Sequence, residues 1–221
     1  MTTSRPIPAA TLAGLGVAAF GISAVLLLFK ALAPAGQFTT SFVLARELAI
    51  FGVAGLLLLI VTRGEKRDLA SLGLHGRHWG KSLLWSAGIY LVAMLAALTG
   101  IGLSRALGIQ ELPAFSRYQN IPIWVMTFIM LRAGGVEELC YRAYLYERLE
   151  QITGNWIVSL LLPALFFGLL HYTQGPQGII VGFAVGLVMA LAYRQTRDIK
   201  ANIIAHFLID FISQVLPRFS H

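Results

Sequence analysis

Along most of the chain, long apolar stretches alternate with short polar connections. A helix needs about 20 apolar residues to cross a bilayer core of about 30 Å. Seven segments approach that length, at roughly 11–33, 41–62, 82–103, 120–146, 155–171, 177–194 and 200–217. The last three are short, and Pro163 inside the fifth is expected to kink it. No segment alternates apolar and polar positions as a membrane barrel does, so the predicted fold is all-α. The expected architecture is a polytopic transmembrane helical bundle of about seven spans. It forms a single transmembrane domain over 1–221, with N-terminal spans in 1–118 and the chemistry in 119–217. The first stretch exceeds a signal-peptide core of about 7–15 residues, so it is expected to be a retained span.

Composition sharpens this picture. The chain is 57% hydrophobic and 12% charged over 221 residues; soluble domains hold about 45–50% apolar and about 25% charged residues. Such a chain cannot hide its apolar surface in one water-soluble core, so lipid is part of its solvent. The net charge of +7 would point to nucleic acid in a soluble protein. Here the basic residues sit between apolar runs and no aromatic-basic platform accompanies them, so membrane topology explains them and no nucleic-acid partner is expected. The single cysteine, Cys140, excludes an internal disulfide and reads as a small buried hydrophobe.

Orientation follows from Lys and Arg. Arg63, Lys66, Arg67, Arg77 and Lys81 fill the loop after the second span, and Arg148, Arg194, Arg197 and Lys200 fall in later turns on the same side. The opposite loops hold few: Arg105 and Arg117 in the third gap. The positive-inside rule puts the N-terminus in the cytoplasm and, with seven spans, the C-terminus outside. The expected location is the bacterial cytoplasmic membrane. Loop 63–81 is the longest connection on the basic side and is expected to form an interfacial turn. Gly178, Gly182 and Gly186 recur every fourth residue, which lets a neighbouring helix, or less simply a substrate helix, approach closely.

Ionisable groups at membrane depth cost roughly 2.5–3.5 kcal/mol each on insertion scales, so those retained need a reason. They gather in the second half of the chain, in three clusters. In Glu137-Glu138-Leu139-Cys140-Tyr141-Arg142, Glu138 and Arg142 are four apart and share a helix face. Glu137 points about 100° away, and a buried carboxylate without a cation suits a general base. A plain salt bridge beside a solvated Glu fits the same residues. His171 lies one turn after Phe167 and reads either as an interfacial histidine or as a catalyst. His206 and Asp210 share a face of the last span, where the carboxylate can fix the imidazole tautomer or the pair can glue helices together.

Taken together, the clusters resemble the CPBP family of membrane proteases, the CAAX-protease and bacteriocin-processing (Abi) proteins whose relatives include the Ras-converting enzyme. The family's Glu-Glu-x-x-x-Arg matches Glu137, Glu138 and Arg142. Its Phe-x-x-x-His matches Phe167 and His171, and its His-x-x-x-Asn/Asp matches His206 and Asp210. The resemblance covers roughly 120–217, with a Leu-Gly-Leu at 72–74 of a kind that often precedes the third span. It implies an intramembrane endopeptidase acting on a peptide or membrane-protein substrate that enters from the cytoplasmic side. Glu137 would activate water, His171 would hold it, His206 would face the oxyanion, and Glu138, Arg142 and Phe167 would support them. Asp210 departs from the Asn usual in the Ras-converting branch. An ionised Asp would repel an oxyanion, so Asp210 is expected to orient His206 or to carry a proton itself.

No cofactor is named by the sequence. Glu137, His171 and His206 make a His₂Glu set that could hold zinc, Zn2+, with an open position, and equally suit metal-free hydrolysis. If Glu137 were a ligand, the base would have to be Glu138, which Arg142 already engages; this favours the metal-free form. Two other classes stay open. One is a non-catalytic scaffold or immunity protein binding a partner; the other is a proton-coupled transporter component, disfavoured because no internal repeat is visible.

Overall fold

A computed structural model describes residues 6–33, 39–74, 79–109 and 121–215. Among these the structure is helical, without strands. The helices are α1 (Ala9–Leu32), α2 (Thr40–Leu59), α3 (Trp79–Ala106), α4 (Ile123–Arg132), α5 (Glu147–Thr153), α6 (Trp156–Leu170), α7 (Gly175–Thr196) and α8 (Ile199–Asp210). Four helical stretches are long and apolar enough to cross a membrane: Ala9–Leu32, Thr40–Gly64, Trp79–Ala106 and Trp156–Thr196. Leucines along α1, α2 and α3 face outward, as a lipid-facing surface requires, and the fold is a helical membrane bundle.

Local chemistry sets the boundaries. Thr39 caps α2 by accepting from the Phe42 amide, Asn155 caps α6 by accepting from Ile157 and Val158, and Asp198 caps α8 by accepting from Lys200. Gly154 takes a left-handed conformation (φ 61°) and ends α5. The candidate span Trp156–Thr196 is in fact two helices. A 3-10 turn, His171–Gln174, and Gly175 at φ 77° reverse the chain, so α6 and α7 pack antiparallel.

The glycine stripe on α7 is occupied by α6. A Cβ on Gly182 would lie 2.9 Å from His171 Nδ1 and 3.2 Å from the Gly168 Cα, and one on Gly186 would press on Phe167 and Ala164. These glycines are therefore packing positions, and they make room for two motif residues rather than for a substrate helix. Pro163 is buried inside α6.

Between α4 and α5 the chain stays helical but widens into π-helical stretches, Ala133–Glu137 and Leu139–Tyr146. Such turns are rare and concentrate at functional sites. Here one of them coincides with a close approach. A Cβ on Gly134 would stand 3.0 Å from the Ile203 carbonyl and 3.2 Å from the Phe207 amide, so only a glycine lets α8 come so near.

At one end of the bundle the loop after α2 packs against the helix ends. Leu72 is fully buried in a 3-10 turn, Leu69–Leu72, capped by Asp68. Arg148 donates to Glu65 at 2.7 and 2.9 Å, and Arg197 reaches Glu147 at 2.8 Å and Glu150 at 2.5 Å. Burial would push the Glu65 carboxyl up, but hydrogen bonds from Arg148 and Tyr144 hold it below its ordinary value. The basic turns grouped by the sequence thus meet at one end, with Arg67 reaching Gln151 at 2.7 Å. Arg77 lies outside the described residues, as does Arg117 in the third gap. Cysteines placed at Lys66 and Gln151 should label from the same side of sealed vesicles with a membrane-impermeant thiol reagent, and one at Ala106 from the other. Labelling of Lys66→Cys and Ala106→Cys from one side would break this topology.

Candidate active site

The three motifs converge near the middle of α8. Glu138 is fully buried and is the hub: its Oε1 accepts from Arg142 Nη1 at 2.7 Å and faces His206 Nδ1 at 2.9 Å, while its Oε2 accepts from Asn202 Nδ2 at 3.2 Å. The Glu138–Arg142 pair is the one expected from their spacing. Asn202, His206 and Asp210 stand four apart on α8 and so share a face. Asn202 stands outside the three motifs, although its four-residue spacing from His206 is legible in the sequence. It also donates to the Met189 carbonyl at 2.9 Å, tying α8 to α7.

His206 is oriented by Glu138 more than by Asp210. A carboxylate only accepts, so the Nδ1 contact places a proton on that nitrogen. Nε2 then faces Asp210 Oδ2 at 3.5 Å and Glu137 Oε2 at 4.0 Å. Both are longer than a normal hydrogen bond; with Nδ1 protonated, Nε2 is a lone pair in the neutral ring and an uncommitted donor in the imidazolium.

His171 closes the 3-10 turn after α6. Its Nδ1 lies 2.8 Å from the Phe167 carbonyl, which can only accept, so Nδ1 carries the proton and Nε2 keeps a lone pair. Phe167 is fully packed against the other motif residues: its ring is 5.0 Å from His171, 5.6 Å from His206 and 5.7 Å from Tyr141, with the Arg142 guanidinium 4.4 Å above it. It is the apolar spacer that fixes the two imidazoles.

Two sequence expectations are corrected. Glu137 does not lack a cation: Arg132 Nη1 donates to its Oε1 at 2.6 Å. In an α-helix residues five apart are about 140° out of phase; the π-helical Ala133–Glu137 turn brings them onto one face. Nor are buried ionisable groups confined to the second half. Glu47 of α2 is fully buried, accepts from Arg46 at 2.6 and 2.9 Å, and accepts from Arg132 Nε at 2.5 Å. Arg46 and Glu47 stood in plain view within the second span.

Glu137, His171 and Asp210 line one cavity of about 160 Å³. Arg46, Arg132, Thr173 and Gln174 complete its polar wall, and Ile22, Leu26, Met126, Ile129, Met130 and Leu170 form the apolar one. His206 is buried just behind Asp210. Thr173 and Gln174 belong to the turn at the end of the bundle opposite the basic loops.

Arg132 occupies one oxygen of Glu137, and Nδ1 of His206 and of His171 is held by Glu138 and by the Phe167 carbonyl, which leaves the second Glu137 oxygen and Nε2 of each ring as the donors a metal would use. Among the described residues no three His, Cys, Asp or Glu side chains are already arranged around one point as a metal site.

Residues 119–212 match the family described as Rce1-like, type II CAAX prenyl endopeptidase Rce1-like. The matched segment holds all three motifs and Asn202, whereas Arg46 and Glu47 lie outside it. No curated protein and no solved structure matches.

Removing one member of a buried ion pair costs roughly 3–5 kcal/mol because its partner is left uncompensated. Arg132→Met should therefore lower the melting temperature in detergent sharply. Arg132→Met with Glu137→Gln, which leaves Arg46 and Glu47 to neutralise each other, should recover much of the loss. Equal melting for the single and double variants would show that Arg132 does not compensate Glu137.

Proposed function

We propose, for a chain whose residues 119–212 match the Rce1-like CAAX endopeptidase family, hydrolysis of a peptide bond by a glutamate-activated water inside the membrane. The observation that carries the reading is the common cavity of Glu137 and His171, backed by His206 on a neighbouring helix.

Each group has a step it suits. A water between Glu137 and His171 can donate one proton towards a free Glu137 oxygen and the other to the His171 Nε2 lone pair. As its oxygen attacks the substrate carbonyl, Glu137 takes a proton. Negative charge then builds on the carbonyl oxygen, and His206 in its imidazolium form, with Nδ1–H held by Glu138, can donate to it from Nε2. The proton held by Glu137 passes to the departing amine as the carbon–nitrogen bond breaks. The products are a carboxylate-ended and an amine-ended fragment, and no electrons are exchanged. The apolar wall of the cavity suits a substrate segment with aliphatic or other greasy groups, and water is excluded elsewhere by the packed bundle.

Sidedness follows from charge. With the basic end in the cytoplasm, the N-terminus is cytoplasmic, and the cavity wall formed by Thr173 and Gln174 lies towards the opposite side. The substrate then reaches the site laterally or from that side, rather than from the cytoplasm as the resemblance implies.

The scaffold reading keeps the fold but needs no turnover. Membranes carrying wild type should show new protein termini that are absent with Glu137→Gln at matched expression, read by terminal-peptide mass spectrometry with and without a chelator. Identical termini with both folded chains would favour the scaffold. Loss of cleavage in chelator, restored by zinc, would replace the metal-free form.

Asp210 sits closer to His206 Nε2 than any other carboxylate on the cavity side. Asp210→Asn should retain cleavage, and Asp210→Ala should lose most of it. Equal rates for the two variants would remove the orienting role of Asp210.

A further inference from the structure

The motif residues account for Glu138, His171, His206 and Asp210, but not for the buried chain of charges on the other side of Glu137. Among the described residues, Arg46, Glu47, Arg132 and Glu137 form a row of alternating charges that joins α2 to the π-helical turn carrying the base. Side-chain exposure in this row is 8% or less. Structural pairs alone would be satisfied by two partners. This row instead ends at the cavity, and it fixes one particular oxygen of Glu137.

We propose that Arg132, clamped by Glu47, is a positioning residue for the reaction: it holds Glu137 Oε1 and thereby presents Oε2 to the cavity and to His206. The inference rests on the endopeptidase reading. Its physical content is the fork of the guanidinium. Nε serves Glu47 at 2.5 Å and Nη1 serves Glu137 at 2.6 Å, so the two carboxylates are set at a fixed separation by a rigid plane. Glu47 is itself fixed from the far side by both Nε and Nη2 of Arg46. Rotation of Glu137 would break the row, so its carboxylate is pre-oriented before substrate arrives. Helix α2 thus becomes part of the active site, although it lies outside the segment that defines the family. Gly134 in the same π-helical turn leaves room on the α8 side, so the row and the His206 side grip Glu137 from two directions.

Lysine keeps the charge of Arg132 but cannot bridge two carboxylates in fixed planes, which makes Arg132→Lys the informative variant. Glu47→Gln keeps the shape of the clamp while removing its charge. Both should be compared with wild type and Glu137→Gln on a synthetic peptide that reproduces the sequence cut by the wild type in membranes. Arg132→Lys should melt close to wild type and lose roughly 10- to 100-fold in kcat with KM within about two-fold, as expected when only transition-state geometry is disturbed. Glu47→Gln should also lower kcat, and the double variant should lose less than the product of the two single losses, because both act through one carboxylate. If Arg132→Lys and Glu47→Gln are folded and each keeps kcat within about two-fold while Glu137→Gln is inactive, the positioning role is wrong and the endopeptidase reading stands. If wild type cuts nothing, or Glu137→Gln cuts as fast as wild type, the endopeptidase reading fails and takes this inference with it.

Discussion

The rest of the structure depends on one constraint: a charge buried among apolar helices must be neutralised by another. Two carboxylates adjacent in sequence, Glu137 and Glu138, are each given an arginine, but by different geometries. Glu138 takes Arg142 one ordinary turn away. Glu137 takes Arg132 across a widened π-helical turn. Without that turn the two residues would face different sides of the helix, and Glu137 would stand alone at membrane depth. The same turn carries Gly134, through which α8 brings His206 to within 2.9 Å of Glu138. Local helix geometry, charge pairing and assembly of the site are one arrangement.

This arrangement divides labour between two neighbouring acids. Glu138 is saturated by Arg142, Asn202 and His206, and has no capacity left for chemistry. Glu137 keeps one oxygen free of any short hydrogen bond and lines the cavity. Burial of the first acid fixes the second by fixing the helix that bears both. Phe167 plays the matching role on the apolar side: it holds the His171 and His206 rings apart at a set spacing, and α7 yields to it through Gly186. Tight packing of this kind leaves few alternative positions for the polar groups, which is what a preorganised site requires.

The bundle also explains where sidedness information resides. Its basic end is fastened by paired charges between Glu65, Arg148, Arg197 and the acids of α5, so the positive residues used for topology also serve packing. The cavity lies well away from that end, near the turn between α6 and α7.

The sequence by itself determined the solvent, the helical class and the three motifs, because these depend on composition and on spacings of three or four residues. The Glu138–Arg142 pair and the shared face of His206 and Asp210 were legible for that reason. The partner of Glu137 was not, because a helical wheel assumes 3.6 residues per turn and the π-helical turn breaks that period. Nor was the meeting of Glu47 with Arg132, which are 85 residues apart and touch only once α2 packs against the turn that follows α4. The α7 glycines marked a close approach in the sequence, but only the packed bundle shows that α6, with His171 and Phe167, is what approaches. Periodicity fixes which side chains share a helix face; which faces meet is decided by packing and by the need to neutralise every buried charge.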